Sequence, residues 1–327
     1  MKYDIRQAAQ ALVSQLKAID YERLPISKYN KRYIARLKPV LSYYMKIYAD
    51  CILKGLESIG SSPEEITLID YGGGSGFLSI LAKQAGIGRV IYIDLNPDSV
   101  DTIRILKELV NTGPDIILHG DSDTLADSAN KVKPQLLIAT DLIEHVYDLS
   151  AFFANLVAID NKMQMLFTTA STPFNPYVKR RLHRLMTIWE KEYYALRLHY
   201  IQLHFPALSP AEAKEAARKT RGLTFPHIHK AVKTGSYPLL KDAFNTCDPR
   251  NGNWTERILP IETYCSLAKP FGYQVRIGKG FYNTDRSNPI STFICLGING
   301  LIRISGKAGF LFAPFITLHL QSDNKGR

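Results

Sequence analysis

Cysteine is scarce in this sequence of 327 residues, and no two cysteines are close enough to form a metal-binding or redox pair. The four cysteines are Cys51, Cys247, Cys265 and Cys295. Their spacing argues against a disulfide framework or a CxxC site and favours free thiols in a reducing compartment. An uninterrupted apolar core of the kind found in signal peptides is also missing, since Asp4, Gln7 and Gln10 interrupt the first residues. We therefore expect a cytoplasmic protein.

Long hydrophobic runs are lacking as well. The most apolar stretch, residues 308–318, falls short of the roughly 20 residues that a spanning helix needs. We expect it to be a buried extension of the domain, with a shallow membrane contact beside Arg303 and Lys307 as the alternative. The protein is therefore expected to be cytoplasmic, with a peripheral membrane location left open.

Acidic residues are outnumbered, with 30 acidic against 41 basic side chains and a net charge of +11. The imbalance is uneven along the chain. Residues 61–170 carry seven basic and fifteen acidic residues, whereas residues 171–258 carry fifteen basic and seven acidic residues. Charge blocks of this kind affect partners and association rates and have no bearing on the fold. Solvated helix faces are the alternative explanation for the basic block.

Short β-rich runs alternate with helical stretches between residues 61 and 170. The runs are ITLIDY, RVIYID, DIILHGD, PQLLIAT and MQMLFTTA. Apolar runs this continuous are typical of strands that are covered on both faces, and alternation with helices indicates a parallel sheet with right-handed crossovers. The sequence therefore predicts a doubly wound α/β core.

The rest of the chain is assigned around this core. Residues 1–60 are predicted to form an N-terminal helical segment, in which Tyr33, Tyr44 and Tyr48 follow one helix face and are interpreted as core packing. Residues 171–258 are predicted to be a helical insertion or substrate cap. The core resumes over residues 259–300, where FGYQVRIGKGFY and STFICLGI are predicted to be two strands joined by a turn at Asn288. Residues 301–327 form a C-terminal extension.

A glycine-rich turn follows the first predicted strand and opens a helix. It reads Asp70-Tyr71-Gly72-Gly73-Gly74-Ser75-Gly76. Glycines at alternate positions let the backbone bend sharply and let a ligand approach the main chain, and free N–H groups at a helix start bind polar groups. The spacing is D-x-G-x-G-x-G, whereas the dinucleotide fingerprint G-x-G-x-x-G would need a glycine where Phe77 stands.

The charges around this turn favour a cationic ligand. Four aspartates, Asp70, Asp94, Asp121 and Asp141, stand at or just beyond the ends of successive predicted strands, where open α/β sheets bind ligands. S-adenosylmethionine carries a sulfonium and an ammonium, whereas a dinucleotide brings an anionic pyrophosphate. Single aspartates at strand ends are common in turns, but four in succession indicate a binding site for S-adenosylmethionine.

At this point the sequence resembles the class I S-adenosylmethionine-dependent methyltransferases, closest to the branch that includes the ubiquinone-pathway O-methyltransferases. The resemblance to this branch is carried by D-L-I-E-H-V at 141–146 and S-T-P-F-N-P at 171–176. The resemblance implies a mostly parallel, Rossmann-like sheet of about seven strands. It also implies that the cofactor-binding residues are Asp70, Gly72, Gly74, Gly76, Asp94, Leu95, Asp121, Ser122, Asp141 and Leu142. The glycines would lie beside the methionine part, Asp94 at the ribose, Asp121 and Ser122 near the adenine, and Asp141 and Leu142 at the methyl group.

A proton acceptor is needed if the methyl group goes to a hydroxyl, and His145 is the predicted base, with Glu144 beside it. The alternative is that His145 only packs or caps. Asp141, Glu144 and His145 would share one face of a helical turn, and a divalent metal ion held there is a further alternative. The additional ligand for such an ion would come from His183, His227 or His229.

The expected reaction is methyl transfer from S-adenosylmethionine to a small-molecule or lipid-linked anionic acceptor, most simply at oxygen. Basic side chains that follow the fifth predicted strand would recognise the anion: Lys179, Arg180, Arg181 and Arg184. RNA or protein methyl transfer and an NAD-dependent oxidoreductase are the alternative functions, as is a cofactor-binding protein without turnover. Nucleic acid is the less favoured partner, because no RNA-binding module pattern accompanies the charge. The oligomeric state is left open.

Overall fold

Three helices form the N-terminal segment in the computed structural model, which describes residues 4–129, 132–239 and 242–322. They are α1 (Ile5–Ala18), α2 (Lys28–Leu37) and α3 (Leu41–Ile59). Asp4 starts α1 by accepting a hydrogen bond from the N–H of Gln7, a standard N-cap. A short 3₁₀ turn containing Pro39 separates α2 from α3, because proline cannot continue the hydrogen-bond ladder. Residues 5–59 thus fold mainly as three helices.

Seven strands form one sheet in the order β3-β2-β1-β4-β5-β7-β6. Their bounds are β1 (Thr67–Tyr71), β2 (Arg89–Asp94), β3 (Ile116–His119), β4 (Leu136–Thr140), β5 (Gln164–Thr169), β6 (Tyr273–Lys279) and β7 (Ile316–Ser322). The first five strands pair in parallel, and β7 is antiparallel to both of its neighbours. The sheet is therefore mixed but mostly parallel, as a Rossmann-like methyltransferase fold requires.

Helices cover both faces of the sheet. They are α4 (Phe77–Gln84), α5 (Pro97–Val110), α6 (Ser122–Ala129), α7 (Leu149–Ile159) and α11 (Ile261–Ala268). Leu68 packs with the N-terminal helices, α4 and α5, whereas its neighbour Ile69 packs with α7 and α11. Both side chains are fully buried. Alternate residues of β1 thus reach opposite cores, which explains its continuous apolar run.

The insertion after β5 contains three helices: α8 (Pro176–His204), α9 (Pro210–Lys219) and α10 (Phe225–Thr234). Asn175 caps α8 through hydrogen bonds from the N–H groups of Tyr177 and Val178. The insertion has its own buried polar anchor, Arg197, whose guanidinium pairs with Glu190. A buried guanidinium needs such a partner to offset the cost of desolvation.

The prediction of a strand at STFICLGI is wrong, because these residues belong to α12 (Pro289–Ile304). Asn288 is its N-cap, accepting from the N–H of Ile290, and Pro289 occupies the first helical position, where its missing N–H costs nothing. The last strand is instead β7, which lies in the predicted C-terminal extension. The predicted core boundary at residue 300 is therefore also wrong, since β7 pairs between β5 and β6.

Candidate active site

Three glycines in the turn after β1 adopt left-handed backbone conformations. Their φ angles are +68° at Gly72, +53° at Gly74 and +74° at Gly76. An L-residue with a Cβ pays a steric cost in this region. At Gly76 an added Cβ would also lie 2.2 Å from Ile103 Cδ1. The D-x-G-x-G-x-G spacing is thus explained by the backbone of the turn itself.

Asp94, at the end of β2, lies directly against this turn. Its carboxylate accepts hydrogen bonds from the N–H groups of Gly74 and Asn96, both at 2.8 Å. Tyr92 holds the turn from the same strand, donating its hydroxyl to the Gly74 carbonyl at 2.6 Å. Desolvation raises the pKa of Asp94, and the two N–H donors oppose that shift. Asp94 is therefore at the place where a ribose beside the glycine turn would lie.

Asp70 has a different position from that of Asp94. It is buried, and one carboxylate oxygen accepts from Ser79 twice, from the N–H at 3.0 Å and the hydroxyl at 2.7 Å. Burial raises its pKa to about 7, against the lowering effect of these hydrogen bonds. Asp70 thus stabilises the first turn of α4 through these hydrogen bonds. Any effect of Asp70 on cofactor binding would act through the glycine turn that precedes this helix.

Two features of the site suit a bound ligand. The Ser75 side chain, in the glycine turn, is buried, yet its hydroxyl has no hydrogen-bond partner among the described residues. Buried hydroxyls are normally paired, so this one is available to a polar ligand group. Leu95, next to Asp94, is 68% exposed, which suits an apolar side chain against which an aromatic base can pack. The residues present therefore fit S-adenosylmethionine.

Asp121 and Ser122 lie one strand further along the sheet edge. The Gly120 N–H donates to the Asp94 carbonyl at 3.0 Å, which brings the end of β3 beside the end of β2. Asp121 accepts from the Asp123 N–H at 3.1 Å and so caps α6. Ser122 is buried and accepts from the Asn155 amide at 2.9 Å. Both residues thus have structural roles in the fold. Their position beside the adenine stays a prediction.

Asp141 and Leu142 follow β4 at the centre of the sheet. Leu142 packs on the glycine turn, since a Cβ on Gly72 would lie 2.0 Å from Leu142 Cδ1. Asp141 has a φ of +51°, an uncommon conformation for a residue other than glycine. Its carboxylate opens onto a cavity, but the surrounding protein desolvates it and raises its pKa to about 6. The charge of Glu256 adds to this rise, and His145 opposes it.

The segment Asp141 to His145 is a sequence of turns, so the predicted helical arrangement of Asp141, Glu144 and His145 is wrong. Glu144 is 1% exposed, and burial raises the pKa of its carboxyl well above the usual range. Its Oε2 has no hydrogen-bond partner among the described residues. The role of Glu144 in catalysis stays a prediction.

The ring of His145 is held by a hydrogen bond to the insertion. Its Nδ1 lies 2.7 Å from the Trp254 carbonyl oxygen, which can only accept a hydrogen bond. Nδ1 therefore carries the proton, and Nε2 is left as the basic nitrogen. The Trp254 N–H donates to the His145 carbonyl at 3.2 Å, so the insertion and the post-β4 turn hold each other. The role of His145 as base stays a prediction.

The residues predicted as ligands of a divalent metal ion do not form a metal site in the described part of the chain. Among the described residues, no group of three or more His, Cys, Asp or Glu side chains is arranged to hold an ion. The predicted additional ligands all contact aromatic residues: His183 stacks on Phe244, His227 contacts Tyr147 and His229 contacts Phe205. The described residues therefore do not fit the metal alternative.

A cavity of about 820 Å³ opens in front of Asp141, and we call it the acceptor cavity. Its walls come from the 3₁₀ turn and α3, from the ends of β4 and β5, from α8 and from the segment before α12. Its lining residues include Tyr43, Tyr44, Asp141, Arg181, Arg286 and Ser287. Of the predicted basic run after β5, Arg181 lines this cavity, and its charge opposes the desolvation that raises the pKa of Tyr44 to about 12.

Several residues near the cleft were not predicted from the sequence. The hydroxyl of Tyr33, from α2, would lie 3.8 Å from a Cβ at Gly74, so this side chain stands over the glycine turn and is not core. Tyr33 is 39% exposed, whereas Tyr48 is buried as predicted. Glu256 adopts a φ of +54° and accepts a hydrogen bond from Ser171 at 3.0 Å. The aromatic stripe was a signal for Tyr33, but no local pattern marks Glu256.

Comparisons with known proteins give short matches to methyltransferases. A segment of 113 residues is 30% identical to the ribosomal protein L11 methyltransferase of Shewanella sp., covering 35% of this chain and 36% of that protein. A segment of 38 residues is 55% identical to the Burkholderia mallei protein of the same name, covering 12% of this chain and 13% of the relative. The chain thus matches about a third or less of these relatives' length. No family model matches.

Solved structures with similar arrangements include two methyltransferases with bound S-adenosylhomocysteine. The plantazolicin methyltransferase BpumL is 11% identical at a TM-score of 0.42, covering 97% of this chain and 99% of its own. The magnesium protoporphyrin IX methyltransferase of Synechocystis is 13% identical at 0.39, covering 88% and 86%. The fold assignment rests on the strand order and register described above. The methyltransferase names of the curated relatives agree with the predicted enzyme class.

Proposed function

We propose that this chain is a class I methyltransferase that uses S-adenosylmethionine. The observation that carries the proposal is the left-handed glycine turn with the Asp94 carboxylate 2.8 Å from the Gly74 N–H. Asp94, Asp141 and Glu256 surround the cleft with negative charge, which suits a sulfonium and disfavours a pyrophosphate. The alternative from another enzyme class is an NAD-dependent oxidoreductase. This chain has neither the glycine spacing of a dinucleotide site nor a cleft charge that suits a pyrophosphate.

The reaction that this arrangement serves is an in-line displacement. Bound S-adenosylmethionine supplies the methyl carbon; an acceptor oxygen bonds to it as the carbon–sulfur bond breaks, and the sulfur leaves with the electron pair as S-adenosylhomocysteine. The task of the protein is alignment, which can lower the barrier by about 7 to 11 kcal/mol. His145 Nε2 is the basic nitrogen for the proton that leaves the acceptor hydroxyl.

The acceptor cavity favours an anionic small-molecule or lipid-linked acceptor. Arg181 and Arg286 both line it, and guanidinium groups bind carboxylate and phosphate through paired hydrogen bonds. Tyr43 and Tyr44 add aromatic surface beside Asp141. An O-methyltransferase of the ubiquinone-pathway kind agrees with this lining and with the D-L-I-E-H-V and S-T-P-F-N-P segments. No comparison supports that branch, which stays part of the proposal.

A protein acceptor is the second candidate, and the comparisons favour it over the small molecule. The curated relatives are named ribosomal protein L11 methyltransferases. A protein side chain entering the cavity would meet Asp141, which suits an amine, as well as Arg181 and Arg286, which repel one. Arg181 would therefore favour an anionic acceptor and disfavour an amine acceptor. RNA, the remaining alternative, has neither a named relative nor a recognition module in its support.

One experiment separates these acceptors. The purified chain is incubated with methyl-labelled S-adenosylmethionine and a cell extract, which is then divided into protein, RNA, lipid and small-molecule fractions. We expect label in the lipid or small-molecule fraction, reduced in Arg181→Gln but not in Arg180→Gln, since Arg180 is exposed and does not line the cavity. Label confined to protein would replace the first acceptor by the second, and label in no fraction would contradict methyl transfer.

A further inference from the structure

Helix α12 presents an apolar face to solvent. The exposed residues on it are Ile290, Phe293, Ile294, Leu301 and Ile304. They stand at i, i+3, i+4, i+11 and i+14, the spacing of one side of an α-helix. Phe293 is 78% exposed and Ile304 is 81% exposed. Scattered apolar side chains on a surface are ordinary, but five large ones on one side of a single helix indicate an interaction surface.

The opposite side of α12 holds the helix firmly to the domain. Cys295 and Ile302 are buried there. Asn299 makes two hydrogen bonds to the backbone of Tyr282, accepting from its N–H at 2.7 Å and donating to its carbonyl at 2.9 Å. The helix therefore cannot turn its apolar side inward without breaking these contacts. The stripe is a fixed feature of the surface.

The stripe continues into the next segment and is bordered by positive charge. The 3₁₀ turn Gly306–Leu311 follows α12, and Leu311 and Phe312 are 51% and 40% exposed. Residues 286–322 contain no Asp or Glu, whereas Arg286, Arg303 and Lys307 are all present and exposed. Within the part of the chain that the structure describes, Arg303 and Lys307 have no carboxylate partner. We call the stripe, Leu311, Phe312 and these three cations the α12 surface.

We propose that the α12 surface docks on an anionic membrane surface, with α12 lying in the plane of the interface. Large apolar side chains on one side and cations at the border are the features of interfacial helices. Among the described residues, no helix is long and apolar enough to cross a membrane, so this contact is peripheral. Anionic headgroups supply the negative charge that the surface lacks, and each nearby cation adds attraction.

A second copy of this chain fits the same surface less well. In a two-fold dimer the same patch meets itself, so each charged group needs its complement within that patch. The α12 surface has cations but no carboxylate, and Arg303 and Lys307 would be brought toward like charge without a partner. Charge complementarity therefore selects the anionic membrane.

The α12 surface lies next to the acceptor cavity, so docking would bring the cavity to the membrane. This step rests on the proposed function. A shallow groove of about 430 Å³ is lined by Arg286, Ser287, Phe293 and Leu296. Arg286 and Ser287 also line the acceptor cavity. An acceptor held at the membrane would therefore reach the cavity along a path that begins at the docked face.

Vesicle flotation of the full chain tests the docking. Wild type is mixed with phosphatidylcholine vesicles or with vesicles that also contain phosphatidylglycerol, and we expect it to float mainly with the anionic ones. Phe293→Ser combined with Ile304→Ser should lower the partition coefficient on the order of a hundredfold, because two large apolar side chains lose their burial. Leu109→Ser with Leu203→Ser is the matched control, since both leucines are exposed at 51% and 65% on other helices, and it should float like wild type.

Three results would overturn the proposal: wild type that stays unbound to both vesicles, the Phe293/Ile304 variant floating like wild type, or a lipid-free dimer by light scattering that this variant dissociates. Arg303→Gln with Lys307→Gln should remove the preference for phosphatidylglycerol, and a retained preference would exclude the charge argument. Titration of the same preparations with S-adenosylhomocysteine is independent of vesicle binding. Failure of the docking and failure of the proposed function are therefore told apart.

Discussion

The Asp94 carboxylate and the Gly74 N–H are joined by a hydrogen bond of 2.8 Å that links the end of β2 to the turn after β1. This bond positions a negative charge beside a backbone that only glycine adopts at low cost, with Gly74 at a φ of +53°. Each carboxylate oxygen accepts more than one hydrogen bond. Asp94 can therefore keep the turn in place and still accept from ribose hydroxyls.

Replacing Asp94 tests the ribose assignment. Asp94→Asn keeps one oxygen that can accept from Gly74, but it removes the charge and the second acceptor oxygen, to which the Asn96 N–H donates. We expect affinity for S-adenosylhomocysteine to fall by about 1.5 to 3 kcal/mol, the scale of charged hydrogen bonds. Asp98→Asn, at an exposed position on α5, is the control and should bind like wild type. Equal affinity of both variants in calorimetry would show that Asp94 does not contact the cofactor.

The backbone of the glycine turn is tested by a pair of substitutions. Gly74→Ala and Gly235→Ala both place a Cβ at a left-handed residue, with φ values of +53° and +66°, and neither Cβ meets an atom closer than 3.8 Å. Both should lose about 1 to 2 kcal/mol of unfolding free energy in urea. Only Gly74→Ala should also weaken cofactor binding, because Gly235 ends α10 far along the chain. A matched loss of affinity in both would point to stability alone.

His145 is tested with a substitution that keeps its hydrogen bond. In His145→Asn the amide can donate to the Trp254 carbonyl as Nδ1 does, but the basic nitrogen is gone. We expect kcat to fall by about 10²- to 10⁴-fold, with cofactor affinity unchanged. If kcat is that of wild type, His145 is a packing residue.

Asp70 gives the fold a measurable pH dependence. Its pKa is raised from 3.8 to about 7 by burial, so the folded state holds a proton that the unfolded state has released between about pH 4 and pH 7. The unfolding free energy should therefore fall as pH rises through this window, by up to about 1.4 kcal/mol per pH unit for one proton. Asp70→Asn should remove that share of the slope. An identical slope in both proteins, measured by urea unfolding at several pH values, would contradict the raised pKa.

The parallel half of the sheet could be predicted from the sequence because its strands are covered on both sides and appear as continuous apolar runs. The antiparallel edge could not. Ile316, Leu318 and Leu320 do alternate as strand residues, but the neighbouring apolar residues hid this period. In α12 the exposed stripe supplies the apolar residues that a buried strand would have, so local hydrophobicity gave the wrong element.

The glycine turn and the carboxylates beside it were also predictable, because they depend on local spacing: glycines where φ is positive and carboxylates at strand ends. The acceptor half depends on tertiary contacts. Glu256 reaches the cleft only because residues 247–256 of the insertion pack on the turn after β4, where Trp254 and His145 exchange hydrogen bonds. Arg286 enters from the segment before α12, more than a hundred residues from Asp141. No sequence pattern predicts tertiary contacts of this kind.

Calorimetric titration of the wild-type chain with S-adenosylhomocysteine, in the presence and absence of NADH, tests the central claim most directly. The account predicts saturable binding at one site per chain that NADH does not displace. Absence of binding, or displacement by NADH, would contradict a cleft built for a positively charged nucleoside.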